Sequence, residues 1–561
     1  MTPFGVRQFR RLLAGCVAIS LVTFLLSSLG TVLTGHFLGE TALTGVALAS
    51  PLFTLCGFLT ALIGAGTGIN YSLRRGRLDR DGADSVFMQG VWSALFCGIV
   101  VALATWFFRD AFIGLLTSDP DIARSAVAYW RWLPPGLAFM CFSCVLFNCC
   151  YCDGDTFYAT AVTCVHCLVS LGVSCLALRL GYGEASCSLG FFVGYLFACV
   201  ALAFHFLRRG NTFRFGWRFS FRDILTIMQT SAGDATGFLG DAVVYVVLGW
   251  ILSRRFGPEA LLGLPVFVFV SESLGYVNGF ASAMQPIVAV YFGECNYLAV
   301  RRTVRNIFLT LAAVSSAVTL ALLVLPRIVL VVLGVDDPSM AFIVRAAALI
   351  VLPFTAVNLL NNYYQLVGRE HLALGLTVFY WIVLPLSVLL LFPLFGERGF
   401  WYWGAATRWG GVVLFALYLL VRYGARRFPL LLDREREAAI ETFDLRLTEI
   451  EIATTAEGVS RQMLDFGVKR ERALRARLLV EESLMVIKER NAGRPVFAEV
   501  TLDLNDGIVL TLRDDGVIFD ITDADARVSG LRTYLVATMM QHQSEKSNIL
   551  TTGFNRNVFR L

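Results

Sequence analysis

The sequence predicts an all-α membrane bundle of twelve transmembrane helices in two parallel six-helix repeats, followed by a C-terminal cytosolic α/β sandwich domain. Three observations carry that expectation. Of 561 residues 57% are hydrophobic, 45 are Phe and only 16% are charged, which places most of the chain in lipid. The charge is uneven: roughly the last 130 residues hold about half of all Asp and Glu and all three lysines, Lys469, Lys488 and Lys546. Finally, landmarks recur about 215 to 219 residues apart, a period that points to a duplicated transporter. Phe37-Leu38-Gly39-Glu40-Thr41-Ala42-Leu43 returns as Phe256-Gly257-Pro258-Glu259-Ala260-Leu261, and Asp119-Pro120 returns as Asp337-Pro338.

Met1 to Arg11 is basic and precedes a long apolar run without a small-residue cleavage site, so it reads as the start of an uncleaved first helix. Apolar segments of about 20 residues or more follow at 11–34, 42–71, 86–108, 125–150, 157–178, 187–207, 224–253, 259–291, 303–333, 340–366, 371–393 and 399–421. Arginines gather in alternate loops, among them Arg74 to Arg80, Arg208 to Arg222, Arg301 to Arg305 and Arg422 to Arg427. By the positive-inside rule both termini are cytoplasmic, as for a multi-pass plasma-membrane protein. An even number of helices per half keeps the halves in one orientation. The expected domains are a membrane N-lobe over 1–210, a membrane C-lobe over 211–432 and a cytosolic domain over 433–561.

Fourteen cysteines sit almost wholly in apolar segments and none in the tail, so they read as small membrane residues rather than a disulfide framework. The cluster Cys141 to Cys167 contains three C-x-x-C spacings, but they lie within spanning helices and no metal is expected there. The slightly acidic tail disfavours nucleic acid as a partner.

Ionisable groups at mid-bilayer are costly and are therefore functional candidates. Asp234 and Asp241 on the seventh helix stand seven residues apart on one face, with Gly237 between them. Glu272 on the eighth shares its face with Gly275 and Gly279, which would admit a neighbouring helix closely. Asn358, Asn361, Asn362 and Gln365 on the tenth make a continuous amide stripe that lipid would not tolerate. The fifth offers a weaker stripe of Thr163, His166, Ser170 and Ser174, where a packed histidine is the plainer reading. Arg408, near the middle of the twelfth, is a candidate ion-pair partner for one of the acids.

In the tail, 443–452 alternates as a strand, 456–466 and 471–490 have helical period, and 497–504 and 508–512 are strands joined at Asn505-Asp506-Gly507. A helix over 530–541 and a last strand over 549–561 complete a sheet covered by helices on one face.

Gly35 to Leu43 followed by Pro51, Gly68 to Gly76, and Gln285-Pro286-Ile287-Val288 before Gly293 resemble the multidrug and toxic compound extrusion (MATE) family over about residues 10 to 425. The resemblance implies a monomeric, cation-coupled antiporter, not an enzyme, that expels amphipathic or cationic small molecules from an inverted-V cleft between two lobes. Members commonly carry protons or sodium on acids of the first helix or the second lobe. Here Ser27 to Thr34 of the first helix contains no Asp, which shifts the coupling expectation to Asp241 and Glu272, with Asp234 behind them. Two other readings stay open: a lipid-linked precursor flippase, which should show a more cationic cleft, and a membrane-anchored sensor with an anti-sigma-type module.

Leu478 to Ser483 on a helix, then Leu512-Arg513-Asp514-Asp515-Gly516 after a hairpin, resemble the histidine-kinase-type ATPase fold, especially small anti-sigma-factor kinases. By that resemblance Asp514 and Gly516 would receive the adenine of ATP, and Glu482 would be the polarising acid. The magnesium-holding Asn is replaced by Val486, the second glycine by Ile518, and the lid is reduced to Ser529-Gly530. The tail is thus expected to be non-catalytic and regulatory, sensing nucleotide or a cytosolic protein partner.

Overall fold

The computed structural model describes residues 3–68, 70–71, 80–152, 156–207, 220–257, 259–293, 296–391, 396–432, 439–505, 507–517, 544–546 and 555–561. Eleven helices among these residues are long and apolar enough to cross a membrane. They are preceded by α1, Phe4–Leu38, a 35-residue helix. The first lobe continues with α2 (Glu40–Ala47), α3 (Ser50–Thr60), α4 (Arg80–Phe107), α5 (Arg109–Leu116), α6 (Pro120–Tyr129), α7 (Leu133–Cys152), α8 (Thr156–Arg179) and α9 (Ala185–Leu207). The second contains α10 (Phe221–Ile251), α11 (Gly263–Ser273), α12 (Tyr276–Gly293), α13 (Tyr297–Val324), α14 (Pro326–Leu333), α15 (Ala341–Leu366), α16 (Glu370–Thr377), α17 (Leu384–Leu391) and α18 (Glu397–Tyr423).

Local chemistry explains the breaks. Gly39 at φ 86° and Gly257 at φ 96° take backbone conformations that a side chain would strain, and each ends a helical run. Asp119 accepts the amides of Asp121 and Ile122, while Asp337 accepts that of Ser339; each Asp is an N-cap with Pro at the first helical position. Wide π-turns at Ala61–Ala65 and Val378–Val383 interrupt otherwise continuous spans, and a third, Leu252–Phe256, closes α10 before Gly257.

The chain divides into two compact units, Met1–Gly15 with Ser282–Leu309 and Tyr418–Leu561, and Cys16–Ala281 with Thr310–Leu417. In the first unit the tail is an antiparallel sheet of β1 (Ile440–Arg446), β2 (Phe497–Asp503), β3 (Val509–Asp514), β4 (Ser544–Lys546) and β5 (Asn555–Arg560), in the order β1-β2-β3-β5-β4. Helices α19 (Glu449–Asp465) and α20 (Arg470–Arg490) cover one face, burying Ala498, Val500, Leu502, Leu510, Leu512 and Phe559 with Ile452, Val459, Leu479 and Leu484.

Two expectations for the tail are corrected. The first strand ends at Arg446, because Thr448 caps a new helix by accepting the Glu451 amide. Of the expected last strand, Asn555–Arg560 is a strand, while 549–554 lie outside the described residues. The sheet is also buried on its second face, where Glu499, Thr501, Thr511 and Arg513 are each 5% exposed or less. That face is polar because its neighbours meet it with hydrogen bonds rather than hydrocarbon. The expected helix over 530–541 and Ile518, Ser529 and Gly530 lie outside the described residues.

Candidate functional site

The second lobe brings three of the sequence candidates around one tyrosine. Asp241 places Tyr245 one turn further along α10, and Tyr245 lies within electrostatic range of Asp241, Glu272 and Arg408, beside Ser271. Periodicity marks Tyr245 only as core; its spacing from Asp241 was the available signal. Gly240 lets the backbone of α10 lie against Trp381, whose carbonyl is 2.9 Å from where a Cβ would stand. Tyr380, on the adjoining π-turn, has its ring centre 5.1 Å from the Arg408 guanidinium carbon. Arg408 feels the charge of Asp241 yet makes no ion pair within 4.0 Å with a carboxylate among the described residues.

Glu272, near the end of α11, has an exposed side chain. One turn on, Tyr276 shares a hydrogen bond of 2.8 Å with Ser315, and Ser315 one of 3.1 Å with Thr355. Sequence reading missed this chain because lone hydroxyls on three helices have no common period. The side chain of Asp234 lies outside the described residues.

The amide stripe divides by task. Asn361 accepts the Thr377 hydroxyl at 3.1 Å and so holds α15 to α16. Asn362 donates to the Asn358 carbonyl and side-chain oxygens at 2.9 and 3.0 Å. Gln365 stands beside Gly233 of α10, 3.3 Å from where its Cβ would be. In the first lobe, His166 bonds the Thr163 carbonyl at 2.7 Å and packs on Tyr195 at 4.8 Å. Gly190 and Gly194 of α9 approach Ser174 and Ser170, making that stripe a helix-packing seam.

A second constellation lies at the tail. Glu499 stands opposite Arg513 across β2 and β3, and Asp444 stands opposite Glu499 across β1 and β2. Arg513 Nη1 donates to Glu499 Oε1 and, at 3.1 Å, to Thr501 Oγ1. The Tyr291 hydroxyl donates to Glu499 Oε2 at 2.8 Å, and its ring centre lies 4.7 Å from the Arg513 guanidinium carbon. Asn296 reaches Thr442 and Thr501 at 3.3 and 3.5 Å. From the start of α1, the Phe4 amide donates to Asp444 Oδ1 at 2.6 Å, and Arg7 lies over the Phe497 ring at 3.0 Å. Burial raises the Glu499 carboxyl and lowers the Arg513 guanidinium, so the pair persists in the interior because each is the other's counter-charge.

The residues expected at a nucleotide are engaged by the chain itself. Asp514 is fully buried, its Oδ1 accepting from the Gly516 amide at 3.0 Å and from Asn555 Nδ2 at 2.8 Å. Gly516 lies against Asn491, whose Oδ1 receives the Val517 amide at 2.8 Å; a Cβ at 516 would stand 2.5 Å from the Asn491 nitrogen. Glu482 is half-buried on α20, and Val486 one turn later is 7% exposed in the hydrocarbon core.

The MatE family model matches residues 16–176. Among curated proteins, Protein DETOXIFICATION 18 of Arabidopsis thaliana is 22% identical over 392 residues, covering 65% of this chain and 80% of that protein. Protein DETOXIFICATION 12 of the same plant is 30% identical over 129 residues, 22% of this chain and 26% of that protein. Among solved structures, an inward-facing multidrug resistance MATE transporter of the MOP superfamily superposes with TM-score 0.64 at 17% identity, over 72% of this chain and 94% of that one. Its outward-facing counterpart gives 0.62 at 17% identity, over 75% and 98%. The membrane part has the MATE fold.

Within that fold the Gly35 to Leu43 motif is a clasp. His36 Nε2 bonds the Val332 carbonyl at 3.1 Å and Glu40 Oε1 accepts the Asp336 amide at 3.0 Å. Gly35 admits the Leu333 carbonyl into space that a methyl group would fill. The motif thus holds the backbone of 332–336 with two side chains and one close glycine approach.

Proposed function

We propose that this chain is a MATE-type secondary active antiporter that exports amphipathic or cationic small molecules in exchange for protons or sodium. Glu272 carries the reading, as an acid within a membrane-spanning segment of the second lobe whose side chain is exposed. Asp241 is the second carrier and Asp234 the reserve, while Tyr245 and Arg408 tune the field around them. Counting α1 as a span gives twelve in two parallel six-helix repeats. The matched landmarks at Gly39 and Gly257 and at Asp119 and Asp337 support that layout, as does a reciprocal pair of contacts, Gly35 to Leu333 and Gly249 to Leu116, whose members lie about 215 residues apart.

The tail acts in this reading as a regulatory brace in the cytosol. Its polar face joins the start of α1 to the α12–α13 junction, so its docking biases how those helices move. Dye efflux from cells lacking their own pumps tests export: faster gradient-dependent loss of dye than in empty-vector cells supports it, and equal loss rejects it.

A further inference from the structure

A pocket inside the second lobe has a chemical character that export of cations does not require. It lies between α10, α11, α15, α17 and α18, a cavity of about 60 Å³ that opens at its mouth. The walls are apolar, from Phe267, Ile350, Pro385, Phe400 and Trp401. Its polar lining is dominated by hydrogen-bond donors. Arg408 is 8% exposed, lines the pocket and has no carboxylate in ion-pair range among the described residues. Trp401 Nε1 is buried with no acceptor. Seven residues separate the two on α18, so both project from one face two turns apart.

Guanidinium and indole N–H groups donate and cannot accept. A buried donor left unmatched costs about 1–3 kcal/mol, more when charged. Asp241 offers Arg408 a distant counter-charge and the Tyr380 hydroxyl stands beside its guanidinium, but neither is a carboxylate in ion-pair range, and Trp401 Nε1 has no acceptor. We infer that this pocket binds an amphipathic monocarboxylate, its oxygens on Arg408 and Trp401 and its apolar body against Phe267 and Phe400. Phe267 and Trp401 are already in ring contact at 5.3 Å, and Trp401 and Phe400 at 5.8 Å, forming a wall for an alkyl chain or flat ring.

Binding is read without any gradient, so its outcome is independent of whether the chain exports. The full-length protein in detergent is titrated with 11-(dansylamino)undecanoic acid and, separately, with its methyl ester. The acid should bind saturably, with dansyl fluorescence rising, and at least about tenfold more tightly than the ester. R408Q should erase that preference, R408K should retain part of it, and W401F should reduce acid affinity several-fold while leaving the ester unchanged. Competition by 2-naphthoate identifies a water-borne ligand, and competition by dodecanoate alone identifies a lipid-borne one. Equal binding of acid and ester to wild type, or equal losses for both in R408K and W401F, would overturn the assignment, as would failure of both competitors.

Discussion

Tyr291, near the end of α12, donates its hydroxyl to Glu499 in the tail's second strand at 2.8 Å, although 208 residues separate them in sequence. Glu499 in turn meets Arg513, so one hydroxyl completes a fully buried charged cluster. Tyr291→Phe should weaken tail docking by about 1–2 kcal/mol. Glu499→Ala should cost about 3–5 kcal/mol, because it strands the Arg513 charge in the interior. A Glu499→Gln, Arg513→Met double variant should cost less than Glu499→Ala. Hydrogen exchange at β2 in the full-length protein reads all three, and an unaltered rate in Glu499→Ala would show that the cluster does not hold the tail.

Acidity gives a second handle on the tail. Burial raises the Asp514 carboxyl from 3.8 to about 6. The folded tail therefore binds this proton more tightly than the unfolded chain does. Its contribution is complete below about pH 4 and is lost as pH climbs through 6, a change of ~3 kcal/mol. Urea midpoints followed by exchange at β3 should fall across that window and flatten in Asp514→Asn. A wild-type midpoint that rises with pH would contradict the assignment.

The clasp is tested by glycine substitution. Gly35→Ala pushes a methyl into the Leu333 carbonyl, and Gly279→Ala brings one to 2.9 Å from the Val17 backbone. Backbone cannot swing aside as a side chain does, so each should lower the melting temperature of the purified protein, with overpacking costs of about 1–3 kcal/mol. Gly375→Ala meets nothing within 4 Å and serves as the silent control.

Much of this was legible because membrane helices declare themselves by apolar length, and caps such as Asp119-Pro120 by local chemistry. Asp241, Glu272 and Arg408 stood out since charge in hydrocarbon has few innocent explanations. Tyr245 and Trp401 did not, because aromatic residues in an apolar helix carry no signal until a neighbour from another helix is known. The second face of the tail sheet was illegible for a related reason. The alternation of Glu499 and Thr501 with apolar residues is the pattern of a solvated face, and only the positions of Tyr291 and Asn296 show that it is covered. Which acid, if any, Arg408 would meet was not legible, because opposite charges in one lobe predict attraction, not contact geometry.

The central claim is that the second-lobe acids carry the coupling ion. In proteoliposomes holding a fluorescent amphipathic dye under an imposed proton or sodium gradient, Glu272→Gln should reduce gradient-driven transport at least about tenfold. Asp241→Asn should reduce it by a smaller factor, and both variants should still bind dye. Gradient-driven transport at the wild-type rate in both variants would contradict the account.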